Sequence, residues 1–482
     1  MMRWNVGRLE RWKVRALVLA IILSNIPSVQ LSAQDTSAID RGVRVGIIYR
    51  PGVRPGFVLL PRQGSGLDSA RAIIARDLDF SDRFEVITLP GGDSLRIGAP
   101  TTATRPATPP GRGQPTRPGT TTSPATGGGA QGSGLNYPLF QALGADFALD
   151  LTLASDTLVA TLHDIMAGGV RRTFRARLPA LGQSDFRQAT HRIADQLLQA
   201  ALGTAGIAAT RVLFVKDGKV YQIDQDGAEM KLVSASDRQA MSPAWASDGR
   251  RFAYMEFQAG RGQLFLQEMA TGKRTPVATT GKALDFTPTF SPDAQTLAFS
   301  RATEEGTDLY TINLKDNCCL RRLTVGRFSD NLSPTFSPDG QRIAFVSTRP
   351  GLPQIYVMAA DGTDQQLFAP FDYGVTGSSN APEWSPDGQS VAFHRDVAGT
   401  LQVFVLDVRT RTVRQLTSVG RNEDPTWAPD SRHLAFVSDR SGYRQLWIID
   451  LDTGRIRPLL QQSGARLPAW SPRLPEATSS TP

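Results

Sequence analysis

The residues of this chain best suited to metal or nucleophilic chemistry are four histidines, His163, His191, His394 and His433, and two adjacent cysteines, Cys318 and Cys319. Zinc ligands commonly come in pairs a few residues apart. The histidines show no such spacing, so each is expected to be a structural residue on a helix face or a sheet edge. Two cysteines make no disulfide framework. Two unpaired small residues are expected there in preference to a strained vicinal bond. Aspartates recur in Pro-Asp turns, at Asp293, Asp339, Asp387 and Asp430. No run of alternating acidic residues surrounds them, so their chemistry is turn capping and not calcium binding. A Gly-x-Ser-x-Gly elbow is absent. No metal, no cofactor and no catalytic activity are therefore expected.

What the chain offers is recognition. Five short stretches mix apolar, acidic and amide side chains: Leu284-Asp285-Phe286, Asp330-Asn331-Leu332, Ser378-Ser379-Asn380, Asn422-Glu423-Asp424 and Ala465-Arg466-Leu467. Each lies just ahead of a proline that opens a repeated phrase. The phrase is Pro, one residue, an aromatic and a turn, as in Pro334-Thr335-Phe336-Ser337-Pro338-Asp339-Gly340. Its aromatics fall at 245, 290, 336, 384, 427 and 470. Self-similarity at a period of about 45 residues is the mark of a β-propeller, in which each repeat is one four-stranded sheet.

The elements that must position these stretches follow from turn chemistry. Proline presets φ for the first central turn position, Asp bonds nearby backbone, and Gly takes the left-handed position after it. A short apolar strand follows each turn, such as Ile343-Ala344-Phe345-Val346 or Leu434-Ala435-Phe436-Val437. A second hairpin follows that one. The last phrase, Pro468 to Pro472, has no strand after it, while Val212-Leu213-Phe214-Val215 and Val220-Tyr221-Gln222-Ile223 precede the first without a phrase of their own. Joining these two ends makes six complete blades over about residues 211–472, and hides both sheet edges. Singly, an Asp or Asn ahead of the proline serves backbone at the start of a strand. As a ring of loops on a rigid scaffold, the same residues form a binding surface.

The N-terminus bears on the compartment. Arg3, Arg8, Arg11, Lys13 and Arg15 precede the apolar run Ala16 to Leu23, and Leu31-Ser32-Ala33 suits cleavage. That reads as a secretory signal over 1–33, too short for a spanning helix. No cysteine follows, so no lipid anchor is expected. The formal charge of the chain is +8, and the signal contributes five positive charges and one negative. The mature chain is left at +4, which argues against a nucleic-acid partner.

Between signal and repeats, 34–210 reads as an α/β domain. Strands are expected at 43–49, 57–60, 84–87 and 147–153, a hairpin over 157–164 and 170–178, and helices at 67–80, 138–143 and 186–201. Residues 98–134 are almost wholly Gly, Pro, Thr, Ser, Ala and Arg, and are expected to be disordered because they cannot bury a core. A flexible tail is expected at 473–482. The fold class is thus an α+β N-terminal domain followed by an all-β six-bladed propeller.

This combination resembles the TolB family, the WD40-like propeller proteins of the periplasmic Tol-Pal system. The resemblance is carried by Ile74-Ala75-Arg76-Asp77-Leu78 with Ser81-Asp82-Arg83-Phe84, by Leu143-Gly144-Ala145-Asp146, by Ala189 to Asp195, by Leu202-Gly203 with Gly206 and Thr210-Arg211-Val212, and by Pro468-Ala469-Trp470-Ser471-Pro472. The 98–134 insertion and the stretch 34–41 depart from it. The resemblance implies a non-enzymatic, monomeric periplasmic scaffold with two protein partners. A Pal-like peptidoglycan-associated lipoprotein would dock on the propeller loops, where Leu284, Thr287 and Leu332 match family contact positions and Asp285, Asp330, Asn331, Ser379, Asn380, Glu423, Asp424 and Arg466 join the same ring. A TolA-like inner-membrane protein would engage the N-terminal segment at Val43, Val45, Ile47 and Ile48. The system supports outer-membrane constriction at division. The other reading is a secreted propeller that binds a small molecule or glycan, or one associated with a peptidase but lacking its catalytic domain. A catalytic domain of about 200 residues is expected to be missing after closure at 472.

Overall fold

The Pro-Asp phrase folds, six times, as the innermost strand and first hairpin of a four-stranded antiparallel sheet. In the computed structural model, which describes residues 54–61, 64–87, 89, 135–235, 237–258, 261–279, 283–326, 329–371 and 376–475, blade one begins at Gln239–Trp245, blade two at Leu284–Phe290 and blade three at Asn331–Phe336. Blades four and five begin at Ser379–Trp384 and Asn422–Trp427. Blade six is built from both ends of the repeat region: Arg466–Trp470 pairs antiparallel with Arg211–Lys216, which continues to Lys219–Asp224 and Lys231–Leu232. The register Ala469↔Leu213 and Trp470↔Val212 closes the ring. The expected signal sequence, Val43, Val45, Ile47 and Ile48, and the 98–134 insertion lie outside the described residues.

The turn aspartates do what their position in the phrase predicts. Asp293, Asp339 and Asp387 each accept a hydrogen bond at 3.0 Å from the backbone N–H two residues on. The second strand of every blade then buries an aromatic completely: Phe214, Tyr254 (with Phe252 beside it), Phe299, Phe345, Phe393 and Phe436. Each such burial contributes about 1.5–3 kcal/mol. The phrase aromatics join neighbouring blades. Trp427 Nε1 donates to the Glu383 carbonyl at 3.0 Å and Trp245 Nε1 to that of Ala469 at 3.1 Å. Trp470, whose Nε1 holds Thr210 Oγ1 at the entry to its own blade at 2.9 Å, reaches blade five through its backbone N–H, which donates to Thr426 Oγ1 at 3.0 Å.

In the α/β part, β1 (Gly56–Leu59) lies parallel between β2 (Glu85–Ile87) and β3 (Phe147–Ala154). β4 (Thr157–Asp164) and β5 (Gly169–Arg177) extend the sheet antiparallel. Helices α1 (Ser65–Phe80) and α3 (Ser184–Leu202) cover one face through Ile74, Leu78, Ile193 and Leu197. Helix α2 (Tyr137–Ala142) covers part of the other through Phe140. α3 leads into the propeller through a linker pinned by its own Asp195. The carboxylate accepts from Ala208 N at 2.7 Å and Ala209 N at 3.0 Å. A Cβ at Gly206 would overlap that carboxylate, so only glycine fits. No helix among the described residues is long and apolar enough to cross a membrane.

One expectation is corrected. Cys318 and Cys319 are bonded to each other, not unpaired. They begin the outermost strand of blade two, where the pairing register shifts and Cys319 takes φ 64°. The left-handed residue breaks the alternation that would otherwise send adjacent side chains to opposite faces.

Candidate functional site

The innermost strands wall the central channel, each beside the innermost strands of both neighbouring blades. All six carry the same irregularity. The residue directly before the phrase proline is left-handed: Ser242, Thr287, Ser333, Ala381, Asp424 and Leu467 have φ between 46° and 52°. None is glycine. The strand register shifts at each of these points. A residue before proline is disfavoured in the right-handed helical region, so a bulge here turns the other way. That costs about 1–2 kcal/mol per residue. A strained bulge repeated around one channel is a device for aiming side chains, not an accident of one loop.

The residue two positions earlier faces into the blade. Asp285, Asn331, Ser379 and Asn422 are buried, and each is held by an arginine of its own blade. Arg301 Nε lies 3.5 Å from Asp285 Oδ1, Arg349 donates to Asn331 Oδ1 at 3.2 Å, Arg395 to Ser379 Oγ at 3.0 Å and Arg440 to Asn422 Oδ1 at 3.0 Å. The guanidiniums lie over aromatic rings, 4.6 Å above Tyr356 for Arg349 and 4.0 Å above Phe371 for Arg395. Asp285, Asn331 and Ser379 are thus spent inside the protein. They shape the mouth of the channel from inside the blades, bonded to their own arginines.

The remaining ring residues are divided by side. Met241, Phe286 and Leu332 make the wall apolar in blades one to three, and Asn380, Glu423 and Arg466 make it polar and half-buried in blades four to six. Leu284 is half-buried, packed so closely on Gly262 that a Cβ there would meet it. Thr287 and Ser300 share a hydrogen bond at 2.6 Å. Asp330 accepts from Thr307 N at 3.2 Å, tying the loop to blade two. Glu423 is bracketed by Arg421 Nε at 3.1 Å and Arg444 Nε at 3.4 Å. The neighbouring Asp424 donates its N–H to His394 Nδ1 at 3.1 Å. Burial, then the charge on Glu423, pushes the Asp424 carboxyl up to about 7. Burial holds His394 down at about 4, so it stands neutral beside that carboxyl. Glu383, where blades two, three and five have threonine, is likewise pushed up by burial to about 7, against the pull of Trp427 N and Thr426 Oγ1.

Around this mouth the propeller face is studded with exposed apolar side chains. Phe257, Leu352, Val397 and Tyr443 lie at the turns between second and third strands; Val325 and Val419 lie in the loops leading to the next blade. In this topology both kinds of connection sit at the same end of the sheets as the start of the innermost strands. Val325, Tyr443 and Val419 are 74, 68 and 61% exposed. The propeller's other exposed large apolar residues among those described, Met230, Leu232 and Leu367, lie on or beside outermost strands.

The opposite face is occupied by the α/β part, through charges that no local motif announces. His191 of α3 is wholly buried, with Nδ1 2.7 Å from Asp77 Oδ2 of α1 and Nε2 3.7 Å from Asp224 Oδ2 of blade six. Burial pulls the imidazolium down, but Asp77 and Asp224 outweigh it and raise its pKa to about 10. His433 of blade five sits between Asp430, Asp450 and Asp82, the last from the end of α1. There too burial is outweighed, by contact with Asp430 and Asp82, and the pKa rises to about 9. Arg455 adds contacts to Asp79 at 2.8 Å and Asp82 at 3.0 Å. Of the other histidines, His163 bonds Tyr137 at 3.0 Å. Among the described residues, the propeller therefore has one face held to the α/β part by charge and an opposite face with an apolar rim and a split channel mouth. That is the arrangement of a docking platform.

Comparison with known proteins agrees with this architecture. A family model described as the TolB beta propeller domain matches residues 199–371 and 371–476. The Tol-Pal system protein TolB of Methylococcus capsulatus is 36% identical over 151 residues, which cover 29% of this chain and 35% of that protein. The match thus spans about a third of the curated relative's length. The crystal structure of TolB from Acinetobacter baumannii superposes with a TM-score of 0.67 at 22% identity, over 87% of this chain and 97% of that one. At that identity it speaks for the fold.

Proposed function

We propose, from the premise that this chain belongs to the TolB β-propeller family, that it is a non-enzymatic periplasmic scaffold of a Tol-Pal system. Its propeller docks a Pal-like peptidoglycan-associated lipoprotein, its N-terminal segment engages a TolA-like inner-membrane protein, and the assembly supports outer-membrane constriction during division. The observation that carries the reading is the propeller face opposite the α/β part, which no described residue covers and where the apolar rim surrounds a mouth built on six strained bulges. Exposed apolar residues gathered on one face mark a protein partner more often than chance. An apolar rim around a channel mouth that is half apolar and half polar suits a folded domain seated on the face.

The test is capture of partners from periplasmic extract by the mature protein. Wild type retains the Pal-like lipoprotein. Val419→Glu and Tyr443→Glu, both on exposed positions, each weaken it at least tenfold, or about 1.4 kcal/mol. Removing residues 34–48 abolishes only the TolA-type interaction. Turnover of a peptide or glycoside by the pure protein, or Pal capture unchanged in both rim variants, overturns the proposal.

A further inference from the structure

The cluster around His433 has a geometry that ion pairing alone does not call for. His433 Nδ1 is used: it lies 2.7 Å from Asp430 Oδ2. Its Nε2 points into a fully buried space between two carboxylates, 3.1 Å from Asp450 Oδ2 and 3.7 Å from Asp82 Oδ2. Neither Nε2 nor Asp450 Oδ2 makes a directed hydrogen bond. All three atoms lie within 4.8 Å of one another. Two donors about 2.0–2.2 Å from a tetrahedral zinc are about 3.4 Å apart, and the two measured separations bracket that value.

Each of the three groups is also oriented from behind. Asp450 Oδ1 accepts from Asp452 N at 2.9 Å, Thr453 N at 2.7 Å and Thr453 Oγ1 at 3.0 Å. Asp82 Oδ1 accepts from Arg455 at 3.0 Å. The Asp430 carboxylate behind His433 is the partner that metal-bound imidazoles commonly have on their second nitrogen. Charge points the same way. Five carboxylates, Asp79, Asp82, Asp430, Asp450 and Asp452, meet the guanidiniums of Arg54, Arg83, Arg432 and Arg455. Five against four leaves one negative charge, which a bound cation or a proton on His433 offsets. Arg432 Nε lies 2.5 Å from Asp450 Oδ2 but is not aligned as a donor.

The companion cluster at His191 is built differently. Its Nδ1 is likewise used, on Asp77, but Nε2 faces the single carboxylate of Asp224 at 3.7 Å. Asp224 is held by Arg211 and Arg187, and Asp226 is engaged by Arg187 and Arg76. It is an ion-pair network.

We propose that Asp82, His433 and Asp450 form a site for one zinc-class divalent cation, which ties α1 to blade five across the interface of the α/β part with the propeller. Imidazole with two carboxylates suits Zn²⁺ or Co²⁺ better than Ca²⁺ or Mg²⁺, which favour sets of six or more oxygens. Such a cation would be replaced by a proton on His433 in its absence.

Chelator-treated mature protein is titrated with Zn²⁺, Co²⁺, Ca²⁺ and Mg²⁺, with calorimetry for binding and visible absorption for Co²⁺. One equivalent of Zn²⁺ binds, and Co²⁺ gives ligand-field bands that Zn²⁺ removes. Asp430→Asn weakens Zn²⁺ binding about 10- to 100-fold, as loss of a supporting carboxylate does. His433→Gln abolishes it, and His191→Gln leaves it unchanged. Absence of saturable Zn²⁺ binding by wild type overturns the proposal and leaves an ion-pair network. Binding that survives in both His433→Gln and Asp430→Asn also overturns it. Should His433→Gln fail to fold, the Co²⁺ spectrum of wild type and the Asp430→Asn affinity still decide.

Discussion

Replacing His191 with glutamine tests whether charge holds the two parts together. His191 is wholly buried between Asp77 and Asp224, and its pKa of about 10 stands against an ordinary 6.5. A rise of that size corresponds to at most about 5 kcal/mol at 1.36 kcal/mol per unit. Burial also raises the pKa of its partner Asp77, which takes part of this back. The loss on substitution is therefore set at about 3 kcal/mol, the lower end for breaking a buried ion pair. The sign is fixed by linkage. A raised imidazole pKa contributes fully below 6.5, loses about 1.4 kcal/mol per pH unit above it, and contributes nothing past about 10. The gap between wild type and His191→Gln thus closes steeply from pH 7 to 9. Hydrogen exchange of the α1 and α3 amides measures it, because this interface can open without unfolding the propeller. A gap that stays constant over that range, or a variant that opens no faster than wild type at pH 7, refutes the argument.

Three further expectations follow from single sites. Glu383→Gln keeps the acceptor for Trp427 N and Thr426 Oγ1 but removes a charge that burial disfavours. The variant is more stable than wild type by about 1–3 kcal/mol at pH 8, with the difference gone below pH 4.5, in urea melts at the two pH values. Trp470→Ala removes the closing strand's buried indole and its bond to Thr210. It costs about 3–5 kcal/mol, more than Trp245→Ala at a half-buried site, as thermal melts will show. Gly206→Ala drives a methyl into the Asp195 carboxylate that pins the linker. It destabilises by about 1–3 kcal/mol in denaturant titration, while Gly169→Ala, with open space at its Cβ, stays within about 0.5 kcal/mol.

Much of the architecture is legible in the chain because it rests on local chemistry. Pro-Asp turns act over four residues, so Asp339 and Gly340 mark a hairpin wherever they occur. The helix expected over 67–80 runs from Ser65 to Phe80, and that over 186–201 from Ser184 to Leu202, because each carries an apolar stripe at helical spacing. The proposed docking ring is legible only in part. Its position ahead of each proline is visible in the sequence, but which side chains face outward depends on register. Asp285, Asn331 and Ser379 fall one side of the bulge and are buried; Glu423 and Asp424 lie at the bulge and line the channel. A shift of one residue exchanges the two faces of a strand, and the bulge makes that shift. Cys318 and Cys319 escaped for the same reason, since a left-handed residue at 319 undid the alternation expected of a strand.

By itself the sequence determined the repeat, its period and the joining of its broken ends into six blades. Those depend on contacts within a hairpin or between one hairpin and the next. Only the tertiary structure decided which propeller face the α/β part covers, because that follows from where domain packing sets it. It alone decided the roles of His191 and His433, which no spacing marks. Asp82 and His433 are some 350 residues apart, and a buried charge is tolerable only once domain packing delivers its partners.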